Sequence, residues 1–190
     1  MSIIGKPAPA FSAPAAVNGE NKTISLDDYK GKWLVMFFYP LDFTFVCPTE
    51  LVAFSDRVED FKAAGAELLG VSVDSVHTHL AWTRTPRSEA GVGNLSYPLL
   101  SDIHKTISTD YDVLAGGGVS FRGVFLIDPE GVVQSATVNN LPVGRNVDEV
   151  LRTLKAFQFT KESGNVCPAN WQAGDAGMSA TLDGVKGHIG

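Results

Sequence analysis

The chain has 190 residues, 44% of them hydrophobic and 19% charged, enough for one domain with a full core. A net charge of −6 disfavours nucleic acid or an anionic membrane surface as the main partner, since both select basic patches. The stretch Met1–Pro7 lacks the apolar core of a secretory signal. No apolar run approaches the ~20 residues that span a bilayer, so the expected compartment is cytoplasmic. Two cysteines are too few for a disulfide scaffold. In a reducing compartment they favour thiol chemistry over a lasting structural bridge. Zinc is a poor reading: there is no Cys-x-x-Cys, and His77 and His79 lie two apart rather than four.

In chain order, residues 1–30 are turn-rich and read as short strands or hairpins, with Asp27 and Asp28 as a helix or turn cap. Trp33 to Tyr39 is a continuous apolar run, the pattern of a strand buried on both faces. From Thr49, apolar residues recur at helical spacing through Leu51, Val52, Phe54, Val58 and Phe61, and Gly65 supplies a C-terminal stop. Glu67–Asp74 is a second buried strand. His77–Thr83 reads as a helix stopped by Pro86. Tyr97–Asp102 is a short strand and turn, and Lys105–Tyr111 a short helix. The glycines at 116–118 precede a strand rather than a helix, so they are no dinucleotide fingerprint. Phe121–Asp128 and Val132–Val138 flank the turn Asp128-Pro129-Glu130-Gly131 and should form an antiparallel hairpin.

A last helix, capped by Asn146 or Asp148, runs through Phe157 with Val147, Val150, Leu151, Leu154 and Phe157 as its apolar stripe. The Gly/Ala-rich tail beyond Thr160 shows no periodicity and reads as an extended, mobile arm. The expected organisation is a domain over 1–160 and a C-terminal arm over 161–190. Strand–helix alternation followed by a hairpin and a helix points to an α/β fold, a central mixed sheet flanked by helices.

The most informative segment is Tyr39-Pro40-Leu41-Asp42-Phe43-Thr44-Phe45-Val46-Cys47-Pro48-Thr49-Glu50. A buried strand ends in a proline turn, a hydroxyl follows, and a thiol sits where a helix opens. Cys167 lies 120 residues downstream in Val166-Cys167-Pro168-Ala169-Asn170-Trp171, a different setting, which suggests a redox pair with unequal roles. An ordinary thiol is only roughly 3% thiolate at pH 7, and a helix N-terminus contributes ~0.3–1 kcal/mol toward the anion. A reactive thiolate therefore needs a cation close by. Arginine suits best, because it stays charged and offers a fork of donors. Arg122, opening a strand, and Arg145, preceding the last helix, are the candidates. Thr44 is placed to hydrogen-bond the thiolate or an oxygen substrate. Pro48 fits a first helical turn, Pro40 walls off the thiol, and Glu50 is best used to hold an arginine. His77, His79 and His104 read as solvated or interface residues, and Trp82 as packing.

At these residues the sequence resembles the typical two-cysteine peroxiredoxins of the alkyl hydroperoxide reductase type. The likeness rests on Asp42–Glu50, Phe121–Phe125, Leu141–Arg145 and Val166–Trp171, and runs from about Gly5 to Trp171. The resemblance implies a thioredoxin-like fold and a thiol peroxidase without metal, haem or flavin. It implies Cys47 as the peroxidatic cysteine, attacking the O–O bond of hydrogen peroxide or an organic hydroperoxide to give a sulfenic acid. Thr44 and Arg122 would orient the peroxide, with Arg145 as a second cation and Glu50 bridging the arginines. Cys167 of the partner subunit would then form an intersubunit disulfide, reduced by a thioredoxin-like protein or a dedicated reductase. From the residues alone an intrasubunit bridge stays open, since closing a long loop is not forbidden by entropy.

The resemblance also implies a homodimer joined edge to edge through Val132–Val138. Five such dimers would form a decameric ring, with Phe43, Phe45, His77 and His79 at the dimer–dimer contact. Family members that over-oxidise readily carry a Gly-Gly-Leu-Gly loop and a C-terminal Tyr-Phe helix. Here the loop reads Ala90-Gly91-Val92-Gly93, and no Tyr or Phe follows Trp171. Fewer packing contacts make local unwinding easier, so faster disulfide formation and resistance to sulfinic acid are expected. Two other classes compete: a ring-shaped holdase, and a thioredoxin-like oxidoreductase, which the missing Cys-x-x-Cys disfavours.

Overall fold

The computed structural model describes residues 2–189. They divide into two compact units, one ending at Val147 and one beginning at Asp148.

The first unit is built on seven strands in the order β2-β1-β5-β4-β3-β6-β7. These are β1 (Ser12–Val17), β2 (Glu20–Ser25), β3 (Trp33–Phe38), β4 (Ala66–Ser72), β5 (Leu99–Ser101), β6 (Arg122–Ile127) and β7 (Val133–Asn139). β3, β4 and β5 run parallel, and both flanks of the sheet are antiparallel, so the sheet is mixed as expected. With helices packed on it, this is the thioredoxin-like fold that the resemblance implied. Every residue of β3 and β6 is buried, which is why β3 reads as an unbroken apolar run rather than an alternating one. Its Met36 and Phe38 join Leu69, Val71, Phe125, Ile127 and Tyr111 in the main core cluster. The β1–β2 turn is Asn18-Gly19, both at positive φ (50° and 80°), the backbone that a two-residue hairpin turn requires.

The helix expected from Thr49 to Gly65 is instead two, α1 (Cys47–Asp56) and α2 (Val58–Ala63), broken at Arg57, whose φ of −107° and ψ of 9° lie outside the helical region. Apolar spacing runs through the break because Phe54, Val58 and Phe61 are buried on both sides of it. α3 (Val76–Arg84) and α4 (Thr106–Asp110) follow the reading closely. Asp28 closes a capping box with Ser25, its carboxylate accepting from the Ser25 N–H at 2.7 Å.

The second unit contains α5 (Val147–Ser163) from Asp148 onward and α6 (Leu182–Ile189). α5 runs six residues past the expected end at Phe157. The tail is not the featureless extended arm expected of it. Val166 and Met178 exchange two backbone hydrogen bonds at 2.9 and 3.0 Å, and Trp171 is 4% exposed against Phe159, with ring centroids 5.1 Å apart. α6 escaped the sequence reading because Gly184 and Gly187 interrupt it with poor helix formers. Its Leu182, Val185 and Ile189 nonetheless keep helical spacing, and all three are exposed.

Candidate active site

Cys47 is the first residue of α1, just beyond the C-terminal end of β3, and is 1% exposed. Pro48 takes the second helical position, where its missing N–H leaves no bond unmade. The Val46 carbonyl is a shared acceptor at the start of the helix: it receives the N–H groups of Thr49 (3.1 Å) and Glu50 (3.3 Å) and the Thr49 hydroxyl (2.6 Å). Farther along, the buried Tyr97 hydroxyl donates to the Leu51 carbonyl at 2.7 Å and fixes the helix to the domain.

β6 is the antiparallel neighbour of β3, so its first residue, Arg122, arrives beside the end of β3 and the start of α1. The Arg122 Nη1 donates to Cys47 Sγ at 3.4 Å and to Glu50 Oε2 at 2.6 Å, while Nε donates to the Leu141 carbonyl at 2.7 Å. One guanidinium thus ties the sulfur, the carboxylate and the segment after β7 together. Arg145 comes from that same segment. Its backbone N–H and Nε both donate to Glu50 Oε1, at 2.9 and 2.7 Å, and its Nη1 donates to the carbonyls of Phe38 (2.6 Å) and Gly123 (2.8 Å).

The Arg145 guanidinium lies over the rings of Phe37 and Phe54, 5.3 and 5.9 Å from their centroids, and its Nη2 has no hydrogen-bond partner among the described residues. Burial pulls the Arg145 pKa down, and the Glu50 carboxylate opposes that pull. Gly144 lets this segment close on α1: a Cβ there would stand 3.3 Å from the Val46 side chain. The residues alone suggest that Glu50 holds an arginine and the resemblance implies that it bridges two; at 3% exposure it pairs with both Arg122 and Arg145.

Pro40 is buried beside Tyr39, and Thr44 is half-buried three residues before the thiol. The Thr44 hydroxyl donates its proton to the Leu41 carbonyl at 2.8 Å. Toward the site it therefore offers lone pairs, not a donor.

A second buried network lies behind this loop. The Tyr39 hydroxyl donates to Asp42 Oδ1 at 2.7 Å, His79 Nδ1 meets Asp42 Oδ2 at 2.7 Å, and the Asp42 N–H donates to Asp74 Oδ2 at 2.9 Å. His79 Nε2 faces the Leu100 carbonyl at 3.3 Å. His79, expected to be solvated or at an interface, is fully buried. The signal was the i, i+3 spacing Val76, His79, Trp82, the inner face of α3. Burial raises the Asp42 carboxyl against the hydrogen bond from His79 and puts the Tyr39 hydroxyl far above the usual phenol range.

Cys167 belongs to the second unit. Both thiols are free. The Cys167 sulfur donates to the Ala156 carbonyl of α5 at 3.6 Å and borders a groove of about 310 Å³ lined by Ala156, Phe157, Thr160 and Val166. Burial pushes the Cys167 thiol up, and Arg152 partly offsets this.

The model of the AhpC/TSA family matches residues 4–136, and that of the C-terminal domain of 1-Cys peroxiredoxin matches residues 156–189. The chain belongs to the AhpC/TSA family and is a peroxiredoxin. Peroxiredoxin-2 of Macaca fascicularis is 57% identical over 96% of this chain and 93% of its own length. The mitochondrial thioredoxin-dependent peroxide reductase of Drosophila melanogaster is 57% identical over 88% of this chain and 72% of its own. Among solved structures, the reduced 2-Cys peroxiredoxin of Plasmodium vivax superimposes with a TM-score of 0.97 at 46% identity, covering 100% of this peroxiredoxin and 99% of that chain. No helix of this peroxiredoxin, among the described residues, is long and apolar enough to cross a membrane.

Proposed function

We propose that this peroxiredoxin reduces hydrogen peroxide and organic hydroperoxides through Cys47, with Cys167 of a partner subunit as the resolving thiol. The observation that carries the reading is the Arg122 guanidinium shared between Cys47 Sγ and Glu50 in a buried site. A positive donor aimed at sulfur favours the anionic nucleophile, and the same charge steadies the oxygen that leaves it. In the first step the Cys47 thiolate attacks the near peroxide oxygen. An S–O bond forms, the O–O bond breaks, and the far oxygen leaves as water or an alcohol after taking a proton. Thr44, its hydroxyl donating to the Leu41 carbonyl, accepts a hydrogen bond from the peroxide O–H and orients it. Pro40 keeps water from the sulfur. Arg145 and Glu50 hold Arg122 in place.

In the second step the Cys167 sulfur attacks the Cys47 sulfenic acid: the S–S bond forms, the S–O bond breaks, and water leaves. A dithiol reductant then restores both cysteines by exchange. The name of the Drosophila relative, a thioredoxin-dependent reductase, favours thioredoxin over a dedicated reductase as that reductant. The reaction suits a reducing compartment, and our reading is the cytoplasm.

The assembly we infer is a homodimer that pairs the outer edge of β7 beyond Val133, which the Gly5–Lys6 segment already bonds, with decamers built through the exposed Phe43 and Phe45, which are 53% and 92% accessible. The variant loop at Ala90–Gly93 favours resistance to over-oxidation.

The test is one equivalent of hydrogen peroxide added to the reduced protein, followed by non-reducing electrophoresis beside Cys47→Ser and Cys167→Ser. A covalent dimer in the parent protein, lost in both variants, is expected. A monomer-sized band with both thiols intact would overturn the peroxidase reading. The same band with both thiols consumed would replace the intersubunit bridge by an intrasubunit one.

A further inference from the structure

Arg152, on α5, takes no part in the reaction as described, yet its guanidinium is extensively bonded. It pairs with Glu149 through both prongs, Nε to Oε2 at 2.6 Å and Nη2 to Oε1 at 2.7 Å. Its remaining nitrogen, Nη1, donates to the backbone carbonyl of Trp171 at 2.9 Å. Trp171 closes the turn that begins at Cys167: its N–H donates to the Pro168 carbonyl at 3.3 Å, and its indole N–H donates to Asp175 at 3.1 Å. One helical turn along α5 from Arg152, the Ala156 carbonyl receives the Cys167 thiol. The turn bearing Cys167 is thus fastened to α5 at both ends, by a weak S–H bond at one and by a charged donor at the other. A sulfur parked on a carbonyl is not free to attack another sulfur: an S–S bond is about 2.05 Å long, and its geometry requires Cα atoms within roughly 7 Å of each other.

We propose that Arg152 is a positioning residue of the resolving step, a latch that holds the Cys167 turn on α5 and whose opening limits how fast Cys167 reaches the sulfenic acid. The inference rests on the resolving role proposed for Cys167. Glu149 pre-orients the guanidinium, so the donor to Trp171 is held ready rather than drawn from many rotamers. The charge of Arg152 has the opposite effect on Cys167, since a cation favours the thiolate. Glu149 neutralises much of that charge, which leaves the hydrogen bond as the larger influence. Losing a hydrogen bond from a charged donor to a carbonyl shifts an open–closed equilibrium by roughly fivefold or more.

The experiment compares Arg152→Ala and Arg152→Lys with the parent chain in two settings. In a Cys47→Ser background, iodoacetamide labelling of Cys167 is followed at pH 7 and pH 9. Arg152→Ala should label about fivefold faster at both pH values, with Arg152→Lys in between because it keeps one charged donor. With Cys47 present, disulfide formation after one equivalent of hydrogen peroxide should accelerate by the same factor, while sulfenic acid formation keeps its rate. Labelling that is unchanged, or slower in Arg152→Ala, overturns the latch. Faster labelling without faster disulfide formation upholds the latch on the Cys167 turn but overturns its control of the resolving step. Failure of the resolving role itself shows separately, as a covalent dimer that persists in Cys167→Ser.

Discussion

Replacing Glu50 with glutamine tests whether one carboxylate organises the site. Glu50 is 3% exposed and accepts from Arg122 Nη1 at 2.6 Å and from the N–H and Nε of Arg145 at 2.9 and 2.7 Å. The amide of Glu50→Gln has nearly the same shape but keeps only one oxygen. Whichever way it lies, its NH2 group faces an arginine N–H. Two buried guanidiniums then share no counter-ion, and for Arg145 the pull of burial on its charge goes unopposed. Removing one member of a buried ion pair costs about 3–5 kcal/mol, and the surviving oxygen places this case near the lower end, ~3 kcal/mol. For a chain of this size that corresponds to a fall in Tm of about 6–12 °C. Thermal denaturation at one fixed protein concentration measures it, since assembly makes Tm concentration-dependent. The second-order rate with hydrogen peroxide should fall at least tenfold, because Arg122 loses one of the contacts that aim it at the sulfur. A loss under about 1 kcal/mol with an unchanged rate would refute the reasoning. The carbonyls of Leu141, Phe38 and Gly123 would then suffice to place both arginines.

Arg122→Lys should slow peroxide reduction by about a hundredfold, because one ammonium cannot serve the sulfur, Glu50 and Leu141 together; competition kinetics against a second peroxidase reads it, and a loss under threefold counts against the shared-guanidinium geometry. Asp42→Ala removes the acceptor shared by the buried Tyr39 hydroxyl and His79 Nδ1, and should cost about 2–4 kcal/mol in urea unfolding; a cost under about 0.5 kcal/mol would mean that this network does not pin the loop. The Cys167 thiol is raised by burial, so its thiolate fraction at neutral pH is small and grows tenfold per pH unit below its pKa. Disulfide formation followed by stopped flow should therefore keep rising from pH 7 to pH 9, and a plateau by pH 8 would contradict the direction of that shift.

Much of the site is legible in the sequence because it is local. Cys47, Pro48 and Glu50 share a helical turn, and the buried run of β3 fixes where that turn begins. The convergence of Arg122 and Arg145 is permitted by the sequence, not required by it. It depends on β6 lying antiparallel beside β3 and on the Gly144 segment folding back onto α1, both choices of topology. Thr44 reads as a hydrogen-bond partner for the thiolate or an oxygen substrate, and the bond its hydroxyl donates to the Leu41 carbonyl leaves it an acceptor. This is a matter of backbone geometry within three residues, below the resolution of a pattern. His79 misleads because histidine is polar by type, while the inner face of α3 calls for whatever can satisfy Asp42. Gly184 and Gly187 hide α6, and the division of the helix at Arg57 is hidden by a different weakness. Apolar spacing marks which side is buried, but it does not mark where backbone hydrogen bonds stop or resume.

The anchoring of the thiol also defines the length of its tether. On one side the chain is staked at Glu50, gripped by two arginines; on the other it is staked at Asp42, gripped by Tyr39, His79 and Asp74. Between the stakes, the first turn of α1 is held by the Val46 carbonyl, by the helix's own ladder and by the Arg122 bond to the sulfur. Freed from those bonds, three peptide links separate Cys47 from Glu50, and at about 3.5 Å per residue they span roughly 10 Å. The sulfur can therefore swing as a bead on a short string without drawing either stake. Any thiol that meets it must come to within that radius of a fixed carboxylate, and the charged frame stays standing while the bead is away.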